Sequence, residues 1–160
     1  NYGAKSQTYF NHKADDLANK NVGVPQQISV PNEGKPANKP NTVADISFYG
    51  ASLVLNSQTT LRFYFTLADG ANIDNFNFGV LVPQKRTVAG TAMYFVDIVD
   101  IAPDKLNETY SVSVNGVEIV SYNPMWYIQR QYHSAGSTVK FKDLLQAMYN
   151  YDLAADAYVN

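Results

Sequence analysis

Residues 102–122 read APDKLNETYSVSVNGVEIVSY, and their pattern decides the fold class. Ser111, Val112, Ser113 and Val114 alternate polar with apolar, the period of a strand that buries one face. Residues 117–122 form a second run of β-prone residues. Asn115-Gly116 between them is the strongest short hairpin signal available, because both residues tolerate positive φ. Two antiparallel strands joined by a two-residue turn are expected. Leu106 stands four residues before Tyr110 at the start of the first strand, the arrangement of a tyrosine corner, in which the phenol binds backbone upstream. Leu106, Tyr110, Asn115 and Gly116 are therefore expected to be structural.

The same period runs upstream. From Val43, Ile46 and Phe48 alternate with Asp45 and Ser47; Leu53 and Leu55 follow, then a polar break at 56–58, then Leu61, Phe63 and Phe65 alternating with Arg62, Tyr64 and Thr66. Residues 73–82 and 91–99 give further strands, with 83–90 a loop carrying Lys85 and Arg86. Turns every eight to twelve residues predict an immunoglobulin- or fibronectin-like antiparallel β-sandwich of about seven strands.

Both ends change to helical period. Residues 1–20 read as a helix through Tyr2, Ser6, Tyr9, Phe10 and Leu17, and 21–42 as a Pro- and Asn-rich loop with a short strand at 27–30. Residues 43–136 form the sandwich. Residues 137–160 read as a second helix with an apolar stripe of Phe141, Leu144, Leu145, Met148, Ala155 and Tyr158, capped by Ser137 or Thr138. The whole chain, 1–160, is read as a single module. Residues 1–11 (NYGAKSQTYFN) and 150–160 (NYDLAADAYVN) share Asn, Tyr, Tyr and Asn at matching positions. The simplest reading is a tandem array, with neighbouring modules of the same polypeptide as partners.

Composition narrows the functional classes. Apolar residues make up 46% and charged residues 16%, leaving a polar, uncharged surface. A net charge of -2 provides no field for a phosphate backbone, so nucleic acid is excluded as a partner. Cysteine is absent, which removes disulfides, thiolate metal sites and cysteine catalysis. No apolar run approaches the roughly 18 residues of a membrane span. Low charge, abundant Tyr and Asn and no Cys suit exported bacterial modules.

Chemistry-bearing residues are sparse. His12 and His133 stand alone; Asp97, Asp100 and Asp104 do not follow calcium-loop spacing; no nucleophile elbow or phosphate loop occurs. No enzyme, cofactor or metal is expected. The 12 Tyr, 8 Phe and 1 Trp are more telling: Phe63, Phe65, Phe78 and Phe141 fall on apolar faces, while several tyrosines alternate with buried neighbours and are candidates for the outside. Residues 122–132 (YNPMWYIQRQY) gather Tyr122, Trp126, Tyr127, Arg130 and Tyr132, an interface composition that Tyr64 and Arg62 extend. The competing reading places Trp126 and Ile128 in a core strand. Tyr49 and Tyr94 are further candidates for exposure.

With residues 1–11, YGASLVL at 49–55 and DLLQAMYNY at 143–151 in hand, the chain resembles the helix-flanked sandwich modules of large secreted and cell-surface proteins of gut Clostridia, including ruminococci. The resemblance implies a non-catalytic module of a longer surface protein and names no ligand. Those modules are expected to carry a small residue where this chain has Trp126. A ligand-binding or adhesion module is therefore expected, secreted or at the cell surface. Its ligand is a glycan or a host protein, immunoglobulin included. A spacer without ligand is the alternative.

Overall fold

The computed structural model describes residues 28, 42–56 and 58–159. They are mainly β, with seven strands in two antiparallel sheets and two helices. Two compact units divide them. One holds the strands and Leu106–Tyr127; the other holds Ile28, Pro103–Lys105 and the chain from Ile128 onward.

In the β unit, β1 (Thr42–Val43), β2 (Ile46–Leu55), β3 (Thr59–Leu67), β4 (Gln84–Val88) and β5 (Thr91–Ile98) form one sheet in the order β1-β2-β3-β5-β4. Strands β6 (Tyr110–Val114) and β7 (Val117–Tyr122) form the other. The alternation of β3 sets its two faces. Leu61, Phe63 and Phe65 are fully buried, while Arg62 and Tyr64 point to the opposite side. Burying each of those apolar side chains contributes roughly 1.5–3 kcal/mol. The hairpin of β6 and β7 packs on this buried face, where the Tyr122 ring meets Phe63 edge to face at 6.5 Å. Phe78 plugs the same face beside Phe65, with ring centroids 5.4 Å apart.

Three expectations are corrected. Residues 73–82 form no strand; Ile73–Asn75 make a single 3-10 turn. Side-chain hydrogen bonds compete with a ladder there, because Asn72 accepts from the Asp74 N–H and Asn77 accepts from the Gly79 N–H. Residues 83–90 are not a loop, since β4 occupies most of that stretch and the connection to β5 is only Ala89-Gly90. Residues 124–133 are neither strand nor loop but helix α1 (Pro124–His133). Asn123 starts it by accepting the Met125 N–H on its side chain at 2.8 Å, and Pro124 occupies the first helical position, where no N–H is needed.

Helix α2 (Val139–Val159) is the expected C-terminal helix, and Thr138 caps it by accepting the Phe141 N–H. Its buried side carries Leu145, Met148 and Asp152, spaced three and four residues apart. Leu144 and Tyr158, expected in the buried stripe, are exposed: Leu144, four residues before Met148, stands at the margin of the buried side and is 37% exposed, and Tyr158 in the last turn is 92% exposed. The expected helix at 1–20, the loop at 21–42 and the first half of the terminal echo lie outside the described residues, apart from Ile28, which is buried, and Thr42, which opens β1 instead of ending the loop.

Candidate functional site

Cross-strand partners share a sheet face, so register defines the surface opposite the core. Arg62 pairs with Asp97, Tyr64 with Phe95, Phe95 with Gln84, and Met93 with Arg86. These residues of β3, β5 and β4 stand together on one face.

Arg62 is fully committed within it. Its Nε and Nη2 donate to the two carboxylate oxygens of Asp97, both at 2.7 Å, and its guanidinium carbon lies 3.8 Å from the centre of the Phe95 ring. The hydrogen bonds to Asp97 hold the guanidinium above its ordinary pKa, against the lowering effect of burial. A planar fork satisfied at both ends and stacked on a ring is a rigid strut.

The neighbouring pair is open. Arg86 Nη1 donates to the Tyr64 hydroxyl at 3.4 Å, a long contact in an exposed position. Gln84 lies exposed on the same strand. Tyr127, at the start of α1, feels Tyr64 electrostatically. Burial first, and Tyr64 second, push the Tyr127 phenol above its usual pKa.

The segment at 122–132 does not act as one patch. Tyr122, expected outside, is 2% exposed and belongs to the core; Trp126 is half-buried with its ring edge to face on Tyr122 at 5.5 Å. A helix scatters the segment round its axis, whereas a strand would have sorted it onto two faces. Among the described residues, two pairs of expected site residues interact across elements: Tyr122 of β7 with Trp126 of α1 through their rings, and Tyr64 of β3 with Tyr127 of α1 electrostatically. Arg130 is exposed and Tyr132 is half-buried, and both belong to the helical unit. The Tyr132 ring packs edge to face on His133 at 5.3 Å. His133 Nε2 sits 3.0 Å from the Ile28 carbonyl, so Nε2 carries the proton and the imidazole is a structural donor.

Of the structural expectations, Asn115 and Gly116 form the turn, with φ of 52° and 80°. Leu106 is buried, and its carbonyl accepts the Met125 N–H at 3.0 Å. Tyr110 is half-buried and pairs across the hairpin with Tyr122.

Sequence reading missed Asp97, Phe95 and Gln84 as members of the Tyr64 face. The alternation that put Arg62 and Tyr64 on one side, and Phe95 and Asp97 on one side, was present in the sequence. Which strands adjoin, and in what register, was not. No family model matches the chain, and neither a curated protein nor a solved structure matches it significantly.

Proposed function

We propose that the chain is a non-catalytic binding module of immunoglobulin-like type, carried by a secreted or cell-surface bacterial protein, and that its ligand is a protein. The observation that carries this reading is the exposed Arg86–Tyr64 pair on the face opposite the core. Arg and Tyr are the side chains that most often anchor protein interfaces, and a loosely held guanidinium can exchange its contact for a partner's.

A glycan ligand has less support. Stacking on a sugar needs a free ring face, and on the face of the Arg86–Tyr64 pair the Phe95 ring is covered by Arg62. The surface location rests on composition and on the resemblance to clostridial surface modules.

The test is an array of plant and mucin glycans beside host secretory proteins, immunoglobulins among them. A protein hit weakened at least about tenfold by Tyr64→Ala or Arg86→Ala, with an unchanged melting temperature, is the expected result. A glycan hit that depends on Tyr64 overturns the choice of ligand. Silence from the folded module favours the spacer.

A further inference from the structure

The outer strand of the large sheet offers a partner more than side chains. Strand β4 stands last in the sheet order, and among the described residues it pairs with β5 alone. Four of its five residues, Gln84, Lys85, Arg86 and Thr87, are exposed. Just before it stand Val80 and Val82, which are 96% and 73% exposed, followed by Pro83. Neither Lys85 nor Arg86 forms an ion pair with a described residue.

An edge strand presents a row of N–H and C=O groups that another strand can complete. Lysine and arginine on such an edge discourage pairing with a like edge, because two copies would oppose cation to cation. The same charges favour an acidic strand, so they select among partners as well as repel. Register makes the selection specific. Lys85 pairs with Tyr94 and Arg86 with Met93, so the two cations stand on opposite faces of the sheet. A strand added beside β4 meets them with two consecutive residues, one on each face.

We infer that β4 is a strand-addition site for an extended peptide segment with two adjacent acidic residues flanked by β-branched ones, a partner that Val80 and Val82 help to seat. The inference deepens the protein-ligand reading and rests on it. The edge supplies main-chain hydrogen bonds and the charges choose the sequence, while Tyr64 stands two strands further in.

The experiment is fluorescence anisotropy of the whole chain with a fluorescein-labelled peptide, TVTEEVTV. Saturable binding is expected, weakened by added salt and at least about tenfold by the double charge reversal Lys85→Glu, Arg86→Glu. A TVTKKVTV peptide is expected to bind the charge-reversed variant better than the native chain. The decisive control is the acidic peptide N-methylated at alternate residues, which keeps every charge and loses the donors on one edge. Methylation of one of the two alternate sets is expected to abolish binding. If both methylated peptides bind as well as the parent, or the parent fails to bind the folded chain, strand addition is overturned. Tyr64→Ala separates the two proposals. An array ligand lost in that variant with no peptide binding sinks the edge and leaves the patch. Peptide binding that persists there without an array ligand does the reverse.

Discussion

Two hairpin turns in the β unit share a backbone and differ in sequence. The β4–β5 turn places Ala89 at φ 48° and Gly90 at 81°, and the β6–β7 turn places Asn115 at 52° and Gly116 at 80°. Positive φ at both central residues matches the right-handed twist of paired strands, so the ladders on either side impose it. Asn and Gly adopt it readily, whereas Ala adopts it at a cost. Ala89 is held there because β4 and β5 pair from Gln84 to Val88 and leave no other way round. The Asn115 turn also has a tether. Its N–H donates to the Asn77 carbonyl and its side-chain oxygen accepts the Asn77 N–H, both at 2.8 Å. One turn is specified by both its own residues and a neighbouring loop, the other by its strands and Gly90.

The largest effect that tests this contrast is expected from Asn115→Ala. It forces alanine into the left-handed region and removes the acceptor for Asn77, for a combined loss of about 2 kcal/mol. At roughly 2–4 °C per kcal/mol for a chain of this length, thermal unfolding should show a drop of several degrees. A change too small to measure would mean the tether and the turn preference contribute nothing.

Gly116→Ala and Gly90→Ala come next, at about 1 kcal/mol each. No atom lies within 4 Å of the position of an added Cβ at either glycine, so the cost comes from the backbone. The two variants should therefore agree within about 0.3 kcal/mol in urea unfolding. A large disagreement would break the claim that the turns are equivalent.

The contrast also explains what the sequence revealed. Asn115-Gly116 announced its hairpin. Ala89-Gly90 did not, and with Pro83, Lys85 and Arg86 nearby the strand before it read as loop. The Ile46–Leu55 and Thr59–Leu67 strands were legible because one side of each is strongly apolar. Strand β4 is mostly exposed and has no such signal. Asn123-Pro124 is a helix start visible in the sequence, and it was outweighed by the aromatic content of the residues that follow. The candidate site was half legible. Tyr64, Arg62 and Arg86 were noticed one by one, but their meeting depends on β5 lying between β3 and β4, an order that local pattern does not encode. Tyr122 was misjudged because a tyrosine at a strand end looks alike whether or not a helix follows to cover it.

The smallest effect is the most informative. Ala89→Asn should stabilise the chain by about 0.5–1 kcal/mol, since asparagine tolerates the left-handed region better than alanine. Its backbone contribution should equal, with opposite sign, that of Asn115→Ala, because the two positions differ by only a few degrees in φ. Subtracting the gain at 89 from the loss at 115 leaves the worth of the Asn77 tether, about 1 kcal/mol. If loss and gain are equal in urea unfolding, the tether adds nothing. If Ala89→Asn gains nothing while Asn115→Ala still costs about 2 kcal/mol, the tether carries the whole difference and intrinsic turn preference carries none. The second result would replace a sequence-preference account of the two hairpins with one based on tertiary contacts, whereas the first would leave sequence preference as the whole account.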